Sequence, residues 1–351
     1  MISKTNFRCW NKSTWALVAL TISIIFSVIV NQDIMVDGYK PIMKSKYFII
    51  GIFSIAPFTY FFKSSFADEK KIKFLLSAFC LATAIATIVG FINIYFGFNI
   101  PHWKVLNLSR NPGTFGMVLN YAHNMAYATI ILYGLVVYRK SINNYISSTF
   151  LLSIFLISLW GIYTSYTRGA WIGLLAGIPF FYFKQNKKLF VVAVSVIALA
   201  GTIAYFTAGR AMYREDKDVS RLGQWYGAVA AFKERPVLGV GYLNFEKVCS
   251  EIKYRHNLPA PEFLGHAHNN FFEILADTGA LGFISYILWL GFWFYEMYQR
   301  NDIVGKIGLP FIVTFIAGGL TQSTISLGIN LFFVMAVYAL TQVNFKIIKA
   351  E

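Results

Sequence analysis

Two histidines separated by one residue stand in the run His266-Ala267-His268-Asn269-Asn270. Imidazole ionises close to neutral pH, so a histidine at a water-facing boundary is suited to take a proton from a hydroxyl as general base. The same pair can instead do no more than tie a loop with hydrogen bonds. His-x-His can also chelate zinc. No cysteine cluster and no His-Glu-x-x-His helix accompanies it here, so no metal and no other cofactor is expected. Glu273, Asp277, Gly279 and Gly282 follow the pair.

Two arginines form the second set. Arg168 lies in Thr167-Arg168-Gly169-Ala170-Trp171, between apolar stretches. An arginine beside hydrocarbon is costly and usually faces a cavity or a partner. Its planar fork matches phosphate oxygens. The plainer reading is snorkelling to lipid headgroups. Arg221 lies with Gln224 on a later amphipathic segment, where a guanidinium can grip a lipid phosphate or simply attract anionic lipid. Arg110-Asn111-Pro112-Gly113 is a turn signal. The stretch after it carries Asn120, His123 and Asn124 on one helical face. These line a polar cavity or bond neighbouring helices.

The elements that must position these groups read as membrane spans. Of 351 residues, 57% are hydrophobic and 13% are charged, against about 25% charged in a soluble domain. The net charge of +15 falls in short basic runs between apolar stretches, which is a membrane pattern rather than a nucleic-acid footprint. A bilayer core needs about 20 apolar residues in helix. Ten stretches approach that length: 14–30, 46–62, 74–95, 117–137, 146–163, 170–183, 189–206, 279–298, 306–322 and 326–345. The first follows Lys4, Arg8 and Lys12 but is too long for a signal-peptide core and lacks a small-x-small site, so it is expected to stay as a span. The fold class is therefore all-α: a polytopic transmembrane helical bundle of about ten spans. Spans one to seven fall in 1–206, a large loop in 207–267, and spans eight to ten in 268–351. None of the ten stretches carries a charge at its middle.

Lys and Arg in the short connections number sixteen on one face and six on the other. The richer face is cytoplasmic by the positive-inside rule, which puts both termini in the cytoplasm and the large loop outside. That loop is too long for a passive connector. Within it, residues 219–234 place Leu222, Trp225, Tyr226, Val229 and Phe232 on one apolar face, with Arg221, Gln224 and Ala228 on another. This predicts a helix lying on the bilayer surface, capped by Asp218 or Ser220 and stopped by Pro236. Gly239 and Gly241 then predict a turn. The three cysteines, Cys9, Cys80 and Cys249, leave no disulfide within the loop.

Four pieces in order resemble the O-antigen ligase family of bacterial membrane glycosyltransferases. They are Gly113-Thr114-Phe115-Gly116, and Tyr166-Thr167-Arg168-Gly169-Ala170. Next comes Ser220-Arg221-Leu222-Gly223-Gln224-Trp225 with Pro236-Val237-Leu238-Gly239-Val240-Gly241. The last is His268-Asn269-Asn270 with Leu275, Thr278-Gly279 and Leu281-Gly282. The sequence departs from the family where Val118-Leu119-Asn120 replaces a Pro-Asn. The resemblance implies an inner-membrane enzyme working at its periplasmic face. It would move O-antigen glycan from undecaprenyl diphosphate to the lipid A-core, without metal or nucleotide. His268 would be the base, Arg168 and Arg221 the diphosphate ligands, and His266, Asn269, Gln224 and Arg110 their support. Expected partners are the lipid-linked donor, the lipid A-core acceptor and membrane lipid, with no nucleic acid. An O-antigen polymerase that extends lipid-linked repeats is an alternative from the same superfamily. A small-anion transporter with an arginine ring is an alternative from another class.

Overall fold

Backbone N–H and C=O groups surrounded by hydrocarbon must bond within their own segment, and every regular element among the described residues is a helix. The structure is a computed structural model that describes residues 10–65, 69–97, 110–142, 146–212 and 215–343. The calls on Lys4, Arg8, Cys9, Lys104, Lys346 and Lys349 lie outside those residues.

The helices are α1 (Lys12–Val30), α2 (Lys40–Lys44), α3 (Lys46–Ser65), α4 (Glu69–Phe96), α5 (Val118–Val137) and α6 (Ser148–Thr164). They continue with α7 (Arg168–Gly177), α8 (Lys187–Met212), α9 (Glu215–Glu234), α10 (Phe245–Arg255), α11 (Asn270–Gln299), α12 (Ile303–Gly319) and α13 (Gly328–Thr341). Each of the ten apolar stretches overlaps one of them. Among the described residues, 12–30, 73–96 and 270–299 are long and apolar enough to cross a membrane. Residues 148–164, 168–181, 303–319 and 328–341 form shorter apolar helices. The span expected at 170–183 is two pieces, α7 and a 3-10 turn over Ile178–Phe181, because Pro179 interrupts the α ladder.

α11 is the centre of the bundle and runs along α1, α9 and α12. Trp289 and Trp293 stack at 5.5 Å and meet Tyr338, Phe311 and Phe315 in a fully buried cluster. Lipid tails are as apolar as these rings, so helix contacts rest on close packing and polar bonds. Trp293 Nε1 accordingly donates to Thr341 Oγ1 at 2.9 Å. α7 lies against α12 through Gly173 and Gly177, where an added Cβ would come within 2.9 Å of the Thr314 carbonyl oxygen and 2.7 Å of that of Pro310. This close approach fixes the start of α7 over the end of α12.

The region expected as a large loop is more structured than the periodicity suggested. α8 extends to Met212, α10 was not anticipated, and α11 starts nine residues before the stretch assigned to span eight. That start brings Glu273 and Asp277 into the helix, both fully buried. The cap assigned to Asp218 or Ser220 is corrected: α9 begins at Glu215, so both lie inside it, while Pro236 does follow its end. The face of α9 that packs is also the unexpected one. Gly223, Gln224, Gly227, Ala228 and Ala231 are buried, whereas Leu222 and Tyr226 are exposed. Small residues allow backbone approach: a Cβ on Gly223 would sit 2.4 Å from the Pro259 carbonyl oxygen.

α11 carries a break at Gly279, with φ 62° and ψ −159°. Into that break fits the turn after α9. Val240 N and Gly241 N donate to the carbonyls of Ala276 and Asp277, and Ala280 N donates to that of Pro236. Asp277 takes the amides of Leu243 and Phe245 at 2.8 and 3.0 Å, so it caps the start of α10. Cys80 and Cys249 are buried free thiols.

Candidate functional site

The His266–Asn270 segment is laced to the turn that joins α12 to the 3-10 helix Thr324–Ser326. Asn269 caps α11 by accepting from the amides of Phe271 and Phe272. Its own amide N–H donates to Ser323 Oγ, and its Nδ2 to the Leu320 carbonyl. Asn270 Nδ2 donates to Thr324 Oγ1 and its Oδ1 accepts from Ile325 N. Glu273 reaches both sides, taking Ala267 N at 2.6 Å and Ser323 Oγ at 3.0 Å. The result is a platform in which His268 is held at φ 51°, a left-handed conformation that non-glycine residues adopt at some cost when neighbouring bonds enforce it.

The two histidines differ in environment. His266 Nδ1 is 2.9 Å from Glu246 Oε2 and 3.5 Å from Glu273 Oε1. These are ion contacts by distance and not aligned hydrogen bonds, since Nδ1 and Glu273 Oε1 make none. Burial alone pushes the imidazole down, but the two carboxylates outweigh it and it is pushed up to about 10. His266 is therefore a cation at neutral pH. His268 is half-buried, with Nδ1 2.8 Å from Gln322 Oε1. Burial holds its pKa below the ordinary value, and the Arg221 guanidinium and His266 act in the same direction, against Gln322 and Glu273. His268 is thus the neutral imidazole that can accept a proton. His266 is not.

Glu246 is held below its ordinary 4.5, chiefly by its contact with His266. For His266, stability is fully present below the ordinary 6.5 and is lost as pH rises towards about 10; for Glu246 it is lost as pH falls below 4.5. Thermal unfolding of the solubilised protein from pH 6.5 to 10 should therefore fall more steeply for the native chain than for His266→Gln. Parallel curves would show that the contact does not stabilise the fold.

Arg221 is exposed on α9 and close enough to His268 for its charge to disfavour the imidazolium. One turn on, Trp225 stacks on Phe272 at 5.5 Å and donates from Nε1 to the Ala267 carbonyl at 2.9 Å. Trp225 was read as part of an apolar face. It locks α9, and with it Arg221, to the histidine segment. Gln224 faces the other way and donates to the Phe263 carbonyl, so it holds the loop that precedes the histidines.

Arg168 is the first residue of α7 and is exposed. Arg110 splints the turn before it, donating from Nε to the Ser165 carbonyl at 2.8 Å and from a terminal nitrogen to Thr167 Oγ1 at 2.9 Å. Asn111 donates a hydrogen bond from its backbone N–H to the Thr164 carbonyl, and its Oδ1 folds back to accept from Gly113 N. Gly169 packs on Thr321, where a Cβ would fall 2.2 Å from Oγ1. Thr321 precedes Gln322, the partner of His268. The start of α7, with Arg168, thereby packs on the turn that carries the partner of His268, although 100 residues separate the two in sequence.

Beneath this rim, Asn124 bonds Asn330 on α13 and His123 Nδ1 bonds the carbonyl of Leu119. His123 is buried with Nε2 unbonded, against Gly169 and Gly318. Asn124 thus takes the helix-bonding role and His123 supplies a polar floor. Sequence reasoning missed Gln322, Glu246 and the platform role of Glu273. Glu273 stands four residues after the cap Asn269, one position beyond the capping-box spacing, so it had no more local signal than Gln322 and Glu246. A cavity of about 150 Å³ opens at the opposite end of the bundle, lined by Tyr138, Phe181, Lys184, Arg300 and Lys306. We do not place the site there. Lys184 and Arg300 are spent on backbone carbonyls, Asn301 and Asp302, and it contains no base.

Residues 153–287 match a family model described as O-Antigen ligase. This segment is similar to the O-antigen ligase family. A search of curated proteins finds no match to the chain. The matched segment runs from α6 through Arg168, α9 and both histidines into α11, and so contains three of the four candidate groups, Arg168, Arg221 and His268. The fourth, Gln322, lies beyond it. The similarity points to a membrane enzyme of the O-antigen ligase or polymerase type.

Proposed function

We propose that the chain is an inverting glycosyltransferase that moves O-antigen glycan from undecaprenyl diphosphate to a hydroxyl of the lipid A-core, at the periplasmic face of the inner membrane. The observation that carries this reading is a neutral imidazole, His268, beside the charge of Arg221 and next to the turn on which Arg168 is seated. His268 takes the proton of the acceptor hydroxyl. That oxygen bonds to the anomeric carbon as the bond from this carbon to the diphosphate oxygen breaks, and the electron pair leaves with undecaprenyl diphosphate. Arg168 and Arg221 offset the negative charge that grows on the leaving group, which is where electrostatic help lowers the barrier. One base with no carboxylate nucleophile fits a single displacement. The donor is already activated, so the reading needs neither metal nor nucleotide.

Lipopolysaccharide from a deletion strain, resolved on a gel, tests the reaction. Full-length glycan stranded on its lipid carrier is the expected result. A core bearing one repeat unit would instead mean a polymerase. Normal lipopolysaccharide together with lost uptake of a labelled anion in sealed vesicles would mean a transporter. In the complemented strain, Arg168→Ala and Arg221→Ala should each lower transfer about 10²-fold, the scale for removing one charge-stabilising donor. Lys at either position should rescue only partly, because it lacks the fork. Full activity of both Ala variants would remove the arginines from the reaction.

A further inference from the structure

The platform turn contributes a group that neither the motifs nor the family segment includes. Gln322 is 3% exposed and sits between Thr321, which packs on Gly169, and Ser323, which bonds Asn269 and Glu273. Its carbonyl oxygen Oε1 lies 2.8 Å from His268 Nδ1. An amide oxygen only accepts, so Nδ1 must carry the hydrogen. In a neutral ring, Nε2 then holds the lone pair.

We propose that Gln322 is a positioning residue: it fixes His268 in the Nδ1-protonated tautomer and aims Nε2 at the acceptor hydroxyl. This rests on the reading of His268 as base. The proton passes from the hydroxyl to Nε2, the imidazolium keeps its Nδ1–H bond to Gln322, and the proton is returned to solvent after the glycan has moved. A neutral amide serves this purpose differently from a carboxylate. It orients the ring without raising its basicity much, so His268 stays uncharged beside Arg221, His266 and Glu273, the ionisable groups that face it from α9, its own loop and α11. The left-handed backbone of His268 puts the ring on the side of the turn where Gln322 waits. Among the described residues, no other hydrogen bond selects between the two ring nitrogens.

The test is steady-state transfer by the full-length protein in detergent or nanodiscs, with lipid-linked donor and core acceptor, across pH. Gln322→Leu removes the acceptor and should lower kcat 10- to 100-fold with KM for donor nearly unchanged, the usual scale for losing an orienting partner. Gln322→Glu keeps an acceptor for Nδ1–H and stabilises the imidazolium. It should keep transfer within about tenfold at its optimum and move the acid limb of the kcat profile to higher pH. A Gln322→Leu protein with native kcat, against an inactive His268→Ala, would overturn the positioning role and leave the base intact. An inactive Gln322→Glu that is still folded would also overturn it, because it would mean that the amide N–H, not the oxygen, faces Nδ1. An active His268→Ala would overturn the base reading itself. Should Gln322→Leu fail to fold, the pH shift in Gln322→Glu decides alone.

Discussion

His268→Ala is expected to lower glycan transfer about 10³-fold or more, while the lipid-linked donor still binds. General-base catalysis contributes on the order of 10² to 10⁴ in rate, and Arg168 and Arg221, which hold the diphosphate in the proposed site, are untouched by the change. The backbone of His268 lies at φ 51°, so Ala adds strain of its own. His268→Asn is the matched variant, since Asn tolerates left-handed backbone better than other residues but has no base. Both should be inactive and both should fold. His266→Gln should cost far less in rate. Its imidazole is held protonated by Glu246 and Glu273 and has no lone pair to offer near neutral pH. Rates measured with purified protein and donor decide the matter. If His266→Gln is the more damaging of the two, the roles of the histidines are reversed.

Gly279→Ala should abolish the folded protein. At φ 62° and ψ −159° the backbone lies in a region that is essentially glycine-only, at a cost of about 1–3 kcal/mol for another residue. The added methyl would also lie 2.5 Å from the carbonyl carbon of Val237 and 2.6 Å from Gly239 N. These are backbone atoms held by hydrogen bonds, the Val237 carbonyl to Leu281 N and Gly239 N to the Arg235 carbonyl, so they cannot turn aside as a side chain would. Several kcal/mol lost against a total stability of about 5–15 kcal/mol leaves little native protein. Gly291→Ala is the control. It lies in the same helix, nothing approaches its Cβ position within 4 Å, and Ala favours helix by about 1 kcal/mol. Size-exclusion profiles and thermal unfolding of the two variants should therefore diverge sharply. A well-folded Gly279→Ala would show that the interlock of the Pro236–Gly241 turn with α11 is softer than its geometry implies.

Much of the helical plan was legible in the residues. Long apolar runs between basic clusters mark helices because an unbonded backbone cannot persist in hydrocarbon, and each of the ten runs overlaps a helix. The glycine turn at 239–241 and the stop at Pro236 were legible for an equally local reason, since both act through φ. The packing of α9 was not. Its bulky residues form the more conspicuous face, but close helix contact in an apolar environment is made by small residues, and Gly223, Gly227 and Ala228 took the interior. α10 was hidden because its start depends on Asp277, which lies more than twenty residues later in the chain.

The same division runs through the site. Residue type alone marked His266, His268, Arg168 and Arg221, because imidazole and guanidinium have narrow chemical uses at a membrane edge. It could not say which histidine is neutral. That is decided by Glu246 from α10 and Glu273 from α11 around one ring, and by Gln322 from the turn after α12 against the other. Short-range chemistry is written in neighbouring residues. The charge state and tautomer of a ring are set by atoms within about 4 Å, and those atoms arrive from three separate segments only when the helices pack.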